Sequence, residues 1–241
     1  MAPAILLPAL AAAVLAGGVA VWRLQRRRDE AGEERLRDLA FVAIDIETTG
    51  LDPRRDAIVA LAAVPFVGGR PRPETGYTGL VNPGRPIPAA ARAIHGITDA
   101  DVACAPSPAA ALPDFLAACR GRPIVAHGAA FDLAVVNRHA RAAGLEPLRG
   151  AVLDIGALAH ALFPSWWDLS LDGLGRLLEV APVDRHTARG DALTAGALFL
   201  RLVPVLEQHG VLTLGGALRL QRGTALIPGG PGATGGGLTG P

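Results

Sequence analysis

Between residues 41 and 50 the chain is apolar except at two acids, Asp45 and Glu47, and it ends in two threonines and a glycine. Side chains alternate along a strand with a period of two, so both acids point to one face and the aliphatic residues around them to the other. The pattern predicts a buried strand with two carboxylates about 7 Å apart, from two rises of ~3.3 Å. Such carboxylates raise each other's pKa unless a cation lies between them, and divalent ions with oxygen ligands meet that need. An edge strand with both acids in water is the alternative.

Short aliphatic runs continue along the chain and later alternate with helical stretches. Further strands are predicted over residues 57–67, 77–81, 123–128 and 151–154. Apolar spacing and end signals predict helices over residues 109–119, 129–143, 155–162, 171–178 and 191–208. A strand-rich opening followed by alternating strands and helices predicts an α/β fold.

The first 28 residues have the pattern of a membrane anchor. Residues 4–22 carry no charge and are near the minimum length that spans a bilayer. Arginines follow at positions 23, 26, 27 and 28, whereas a signal peptide carries its positive charges before the apolar run. Arginines on this flank favour retention of the downstream domain in the cytoplasm. We therefore predict a single-pass protein of the cytoplasmic membrane, with a cleaved signal or a soluble cytoplasmic protein as the alternatives.

Composition divides the remaining chain into a linker, a domain and an extension. Residues 29–40 are rich in Glu and Arg around the apolar pair Leu36 and Leu39, which predicts a short solvated linker helix. Residues 41–210 have the size of one domain. Residues 211–241 form an extension whose Gly- and Pro-rich part, from about 223, is predicted to be a disordered tail. A net charge of +1 argues against nonspecific coating of nucleic acid and favours a local site.

Four later polar residues stand out by their positions. His95 lies in a loop before a helix start that the capping-box pattern at residues 98–101 predicts. Asp132 falls in the first turn of the helix after the fourth strand. Asp191 opens the last long helix, with His186 on a loop five residues earlier. Taken singly, each has an ordinary structural explanation, since the helix dipole stabilises an acid in a first turn.

Taken together, these residues fall into motifs that occur in a fixed order. The motifs are Asp45-Ile46-Glu47-Thr48-Thr49-Gly50, Ile94-His95-Gly96-Ile97-Thr98, His127-Gly128-Ala129-Ala130-Phe131-Asp132 and His186-Thr187-Ala188-Arg189-Gly190-Asp191. The set resembles the DEDDh 3′→5′ exonucleases, the DnaQ-like group that includes the proofreading epsilon subunit of bacterial replicative polymerase. The resemblance covers about residues 41–209. A tyrosine four residues before the last acid would mark the sister group, and position 187 is threonine.

The resemblance implies a ribonuclease H-like fold, with a mixed five-stranded sheet flanked by helices. It also implies two Mg²⁺ or Mn²⁺ ions, bound by four acids: Asp45, Glu47, Asp132 and Asp191. Four acids this close are unfavourable without added positive charge. Two ions about 3.5–4 Å apart can hold a scissile phosphate, activate a water and stabilise the leaving oxygen.

The remaining site residues also follow from the resemblance. His186 would be the general base, because an imidazole with an unperturbed pKa of about 6.5 can take a proton near neutral pH. The terminal nucleotide would be contacted by residues of the first two motifs, namely Thr48, Thr49, Gly50 and His95.

The function predicted is metal-dependent hydrolysis from nucleic-acid 3′ ends, releasing nucleoside 5′-monophosphates. DNA is favoured over RNA, with an oligoribonuclease-like RNA exonuclease as the alternative. An inactive membrane-bound scaffold is a further alternative, but it would be expected to lack one of the four acids, and all are present. The predicted anchor argues against a polymerase partner, because proofreading subunits of this group are usually soluble.

Overall fold

The computed structural model describes residues 33–225, and within that range six strands form one mixed sheet. The strands are β1 (Phe41–Thr48), β2 (Ile58–Val67), β3 (Arg70–Pro71), β4 (Tyr77–Leu80), β5 (Ile124–Ala126) and β6 (Val152–Asp154). β3 and β4 both pair with the edge of β2 that faces away from β1, and the order continues through β1 and β5 to β6. The predicted five-stranded arrangement is present, with the two-residue β3 as an addition at the edge.

Eight α-helices accompany this sheet within the described range. They are α1 (Ala89–His95), α2 (Asp99–Val102), α3 (Pro108–Cys119), α4 (Ala129–Ala142), α5 (Ile155–Leu162), α6 (Leu171–Leu178), α7 (Ala188–Gln208) and α8 (Leu214–Ala225). Thr98 and Asp101 form the predicted reciprocal capping box at the start of α2. Ser170 Oγ accepts a hydrogen bond from the N–H of Gly173 at the start of α6. Short polar side chains thus determine where these helices begin.

β1 is an interior strand, paired with antiparallel β2 on one side and with parallel β5 on the other. Six of its eight residues are buried, and the exceptions are the partly buried Asp45 and Glu47. The register against β2 shifts between Glu47 and Thr48, where Glu47 lies opposite Ala60 and Thr48 opposite Ile58. Such a bulge bends a strand and redirects its side chains. It lies directly after the two acids.

The two faces of β1 pack against different helices. The even-numbered aliphatic residues of the strand join a core with α3 and α4. Phe41 joins the other core, where its ring stacks on Phe66 at 4.8 Å between ring centroids and meets Phe199 of α7 edge-on at 5.0 Å. Asp45 and Glu47 share the parity of Phe41 and therefore point toward the α7 layer.

The linker helix predicted over residues 29–40 is described only from residue 33, where Glu33 is helical and a 3₁₀ turn follows at Leu36–Asp38. Its apolar pair is not solvated as predicted, because Leu36 and Leu39 are buried in the core on the α7 side. The N–H of Leu36 donates to the carbonyl of Leu212 at 3.0 Å. The charges around the two leucines suggested a solvated segment, but burial of the leucines makes the segment part of the domain.

The extension predicted for residues 211–241 contains a helix, α8, which begins at Leu214 and ends at Ala225. Leu214 is buried, and α8 packs on α5. The side-chain amide of Gln221 bonds the backbone of β6, donating to the carbonyl of Val152 at 2.7 Å and accepting from the N–H of Asp154 at 3.1 Å. The helix therefore covers the last strand of the sheet.

The loop position predicted for His95 is wrong, because His95 is the last residue of α1. Four alanines in the seven-residue segment favour the helix, because alanine has the highest helix propensity. Gly96 ends it with a φ of 73°, a left-handed conformation that glycine adopts without strain.

The membrane anchor predicted for residues 1–28 and the end of the tail, residues 226–241, lie outside the described residues. Between residues 33 and 225 no helix is both long enough and apolar enough to cross a bilayer. The anchor stays a prediction.

Candidate active site

The acids of β1 meet the last acid because β1 and α7 run in opposite directions across one layer. The ring contact of Phe41 with Phe199, at 5.0 Å between centroids, sets the register of strand against helix. From Phe41 to Asp45 the strand advances about 13 Å, at ~3.3 Å per residue. From Phe199 back to Asp191 the helix covers about 12 Å, at 1.5 Å per residue. Asp45 and Asp191 therefore reach the same level.

Three carboxylates form a cluster at that level. Asp45, Glu47 and Asp191 each offer one oxygen, and the three oxygens lie within 4.8 Å of one another. Asp132 lies beside this group, and its charge acts on Asp45. Two buried oxygens, Asp132 Oδ2 and Asp191 Oδ1, have no hydrogen-bond partner among residues 33–225. A buried carboxylate oxygen without a donor is unfavourable, and a hard divalent cation would satisfy it, so the donor set fits such an ion.

The pKa values of the clustered acids also favour a cation site. Burial raises the pKa of Asp45 well above its ordinary value, and Asp132, Glu47 and Asp191 raise it further. Burial, assisted by the charge of Asp191, raises the pKa of Glu47 to about 7. The pKa of Asp132 is raised well above its ordinary value by burial and then by neighbouring carboxylates. These raised pKa values favour the protonated acids, and a bound cation would favour the carboxylates instead.

Asp132 is placed by the turn between β5 and α4. Gly128 precedes the helix with a φ of 69°, and α4 begins at Ala129 directly after it. Asp154, at the end of β6, accepts from the N–H of Ala129 at 2.9 Å and from the N–H of Gly156 at 2.9 Å. Its carboxylate thereby joins the first turns of α4 and α5. Asp154 is a site residue that no motif indicated, although its place at the end of a predicted strand was a usable signal.

His186 lies on the exposed loop between α6 and α7, where its φ of 62° is left-handed. Thr194, fully buried in α7, holds this loop: its Oγ1 accepts from the N–H of Val183 at 3.0 Å and donates to the carbonyl of Gly190 at 2.8 Å. Thr187 caps α7 by accepting from the N–H of Gly190 at 3.0 Å. His186 is not one of the three clustered ligands.

A cavity of about 320 Å³ opens beside this loop, and both predicted histidines line it. His186 contributes from the loop, and His95 contributes from the end of α1 together with apolar Leu80 and Ile97. His95 is buried, its Nδ1 accepts from the N–H of Ile97 at 3.0 Å, and its ring lies beside the backbone of Thr48. Burial lowers the pKa of His95, which favours the neutral ring. The cavity thus lies between the His186 loop, the end of α1 and the paired strands β2 and β4.

The hydroxyl groups predicted to contact substrate are used within their own turn. Thr48 Oγ1 donates to the carbonyl of Gly50 at 2.6 Å. Thr49 Oγ1 donates to Asp56 Oδ1 at 2.8 Å and accepts from the N–H of Ala57 at 3.0 Å. A threonine hydroxyl has one proton to donate, so both donors are already engaged. The backbone of the turn is therefore the part that could bind a ligand.

Arg185, which no sequence motif indicated, reaches the acid cluster and is held by Asp172. Arg185 donates from Nε to Asp172 Oδ1 at 2.7 Å and from Nη2 to Asp172 Oδ2 at 3.3 Å. Its Nη1 contacts Asp191 Oδ2. One guanidinium therefore joins α6 to the cluster. The motif pattern gave no sign of this, because Asp172 lies on α6, 13 positions before Arg185 on the loop that precedes α7.

Comparison with known proteins extends these observations. The exonuclease family model RNase_T matches residues 42–199. A DNA polymerase III subunit epsilon-like protein from Rhodobacter capsulatus is 42% identical over 189 residues, which cover 77% of this chain and 27% of that protein. A PolC-type DNA polymerase III from Thermotoga maritima is 34% identical over 188 residues, which cover 78% of this chain and 14% of that protein.

Two solved structures share the fold. Exonuclease X in complex with 5′ overhanging duplex DNA has a TM-score of 0.55 and 28% identity, covering 74% of this chain and 97% of the other. Exonuclease I from E. coli in complex with a dT13 oligonucleotide has a TM-score of 0.62 and 17% identity, covering 71% of this chain and 42% of the other. At that identity exonuclease I supports the fold alone.

A mixed sheet flanked by helices, with acids gathered at one end of its strands, defines a ribonuclease H-like exonuclease domain. The chain belongs to the RNase_T exonuclease family, and the predicted DnaQ-like grouping is confirmed. It spans 27% and 14% of the two curated relatives' lengths, so what those whole proteins do does not transfer directly.

Proposed function

We propose that this protein hydrolyses phosphodiester bonds from nucleic-acid 3′ ends in a metal-dependent reaction that releases nucleoside 5′-monophosphates. The observation that carries the proposal is the cluster of Asp45, Glu47 and Asp191, whose ligand oxygens lie within 4.8 Å of one another. Asp132 stands beside them with a buried oxygen that lacks a partner among the described residues. Membership of the exonuclease family supports the same chemistry.

Two Mg²⁺ or Mn²⁺ ions would be held by the four acids Asp45, Glu47, Asp132 and Asp191. When bound, such ions hold the scissile phosphate, activate a water and stabilise the leaving 3′-oxygen. The protein's own contribution is a rigid frame. Asp45 and Glu47 sit on an interior strand, and Asp191 lies four residues into α7, so none of these three depends on a loop for its position.

His186 is proposed as the general base that takes the proton of the attacking water. Its loop is exposed, while Thr194 and Thr187 fix the backbone on either side of it. An imidazole needs to come within about 2.6–3.2 Å of that water, and such contacts often form only with substrate bound. Removing a general base slows a reaction by about 10²–10⁴-fold.

The 3′-terminal nucleotide is proposed to occupy the cavity of about 320 Å³ that His95 and His186 line. Leu80 and Ile97 offer apolar surface for a base, and His95, whose ring lies beside the backbone of Thr48, offers a polar edge. DNA is the proposed substrate. The names of the epsilon-like relative and of the exonuclease X complex, which contains duplex DNA, support it.

A nuclease assay with 5′-labelled single-stranded DNA, duplex DNA and RNA of one sequence tests the proposal. We expect stepwise shortening from the 3′ end with Mg²⁺ or Mn²⁺, no reaction in EDTA, and a higher rate on DNA. Asp45→Asn should abolish the reaction, while the exposed Asp114→Asn serves as the matched control. A faster reaction on RNA would instead indicate an oligoribonuclease-like enzyme, and no release with added Mn²⁺ would indicate an inactive scaffold.

The base is tested separately by His186→Ala, with His209→Ala at the far end of α7 as the control. His209 is exposed and lies 18 positions after Asp191. We expect the first variant to lose about 10²-fold or more in rate at unchanged metal affinity, and the second to match the parent protein. A His186→Ala variant with the parent rate would remove His186 from the mechanism.

Attachment to the cytoplasmic membrane through residues 4–22 is a further proposal, supported by the uncharged run and the arginines after it. Pelleting of membranes tests it directly. The intact chain should sediment with the membranes and a chain starting at residue 29 should not, whereas recovery of both in the supernatant would contradict the anchor.

A further inference from the structure

Arg185 is the one cation in the described structure that reaches the acid cluster. Its side chain is 23% exposed, and that of Asp191 is 12% exposed, so water screens their contact only in part. An arginine does not lose its proton in a protein, so this charge is permanent. The guanidinium therefore neutralises part of the negative charge that Asp45, Glu47 and Asp191 concentrate.

The Arg185 guanidinium contacts two carboxylates, those of Asp172 and Asp191. Its Nε and Nη2 edge meets both carboxylate oxygens of Asp172, at 2.7 and 3.3 Å, while its remaining nitrogen contacts Asp191 Oδ2. A two-point arginine–carboxylate pair is stronger and more directional than a single contact. Asp172 can therefore keep the guanidinium when the contact to Asp191 is given up.

A divalent cation bound between Asp45, Glu47 and Asp191 would share the Asp191 carboxylate with Arg185, whose Nη1 contacts Oδ2 while the buried Oδ1 has no partner among residues 33–225. The two positive charges would repel each other at that distance. Resting on the proposed function, we propose that Arg185 is a built-in counter-ion of the acid cluster, displaced from Asp191 by the catalytic metal and retained by Asp172. Arg185 then sets the metal affinity by competition, and Asp172 is the positioning residue that makes displacement easy.

The two halves of this ion pair must act on metal affinity in opposite directions. Arg185→Met removes the competitor, so Mn²⁺ should bind about tenfold more tightly, a change of ~1.4 kcal/mol. Asp172→Asn leaves Arg185 with Asp191 alone, so Mn²⁺ should bind several-fold more weakly. A purely structural role for the pair would make both variants bind metal less well, because each would loosen the same contact.

The test is titration calorimetry of the full chain with MnCl₂ after removal of metal by EDTA and dialysis. Controls are Arg176→Gln and Glu179→Gln, which remove one charge of either sign at α6 without touching the clustered acids. Both controls should bind Mn²⁺ like the parent. The double variant separates competition from long-range charge: Asp172→Asn should have no effect once Arg185 is methionine.

Several outcomes would overturn the inference. Arg185→Met binding Mn²⁺ no more tightly than the parent would exclude competition, and a persistent effect of Asp172→Asn in the double variant would assign that effect to charge at a distance. If Arg185→Met does not fold, Asp172→Asn against Glu179→Gln still decides, since equal affinities would refute the retaining role. A parent protein that binds no Mn²⁺ would instead refute the proposed metal site, which keeps the two failures distinguishable.

Discussion

Replacing Thr194 with valine tests whether the His186 loop is held from inside the domain. The Thr194 side chain is fully buried, and its hydroxyl accepts from the N–H of Val183 at 3.0 Å. It also donates to the carbonyl of Gly190 at 2.8 Å. Valine has nearly the same shape without the hydroxyl, so the substitution removes the tether between the loop and α7 while leaving the core filled.

The expected loss follows from the group left without a partner. An unpaired buried donor costs about 1–3 kcal/mol. The bond is only part-buried and Val183 is 40% exposed as a residue, so the lower part of that range, ~1–2 kcal/mol, applies. For a domain of this size each kcal/mol lowers Tm by about 2–4 °C, which predicts a fall of about 2–8 °C. Displacement of His186 should slow hydrolysis by about tenfold or more.

Thr194→Ser is the matched control, because it keeps both hydrogen bonds and loses one buried methyl group, at ~1 kcal/mol. The two variants should therefore be similarly destabilised in thermal unfolding, yet only the valine variant should lose rate in the exonuclease assay. Equal rates for the two variants would refute the reasoning, since the tether would then contribute nothing to the position of His186.

Two further predictions concern the pH dependence of stability and the packing of α7. Burial and Asp191 raise the pKa of Glu47 to about 7 from 4.5, so between those pH values the folded state keeps a proton that the unfolded chain has released. The free energy of unfolding in EDTA should therefore fall as pH rises from about 4.5 to 7, and Glu47→Gln should reduce that slope in urea titrations; an unchanged slope would contradict the shift. At Gly190 an added Cβ would lie 2.2 Å from the carbonyl oxygen of Asp184, so Gly190→Ala should move the loop, lower Tm and slow hydrolysis. Gly223→Ala, with nothing within 4 Å, should do neither, and a Gly190→Ala variant with normal Tm and rate would show that the loop adapts.

Much of the sheet could be predicted because its strands are short apolar runs that can be recognised from neighbouring residues alone. The alternation around Asp45 and Glu47 predicted which face of β1 carries the acids, and Phe41 shows that this face meets α7. The capping pair Thr98 and Asp101 predicted the start of α2, since such caps are local in sequence. Signals of this kind need no knowledge of the tertiary structure.

Most of the errors and omissions come from contact between residues far apart in sequence, whereas the helix that ends at His95 follows from local alanine propensity. Leu36 is buried because it packs on α7 and bonds the backbone of Leu212, and no local pattern shows that. Helix α8 contains two adjacent glycines, so propensity argued against it, but it packs on α5 and bonds β6. Arg185 and Asp172 escaped notice for the same reason, since neither belongs to a motif.

The contact of the N-terminal segment with the end of α7 has a practical consequence. Arg37 pairs with Glu207 at 2.8 Å, and Glu207 lies 16 residues beyond Asp191 on the same helix. At 1.5 Å per residue those two acids are about 24 Å apart. The described chain therefore begins near the C-terminal end of α7, at the end of the domain opposite the acid cluster. If the protein is immobilised on a surface through that end, the acid cluster should face free nucleic acid. This attachment suits surface-based measurements of digestion one molecule at a time.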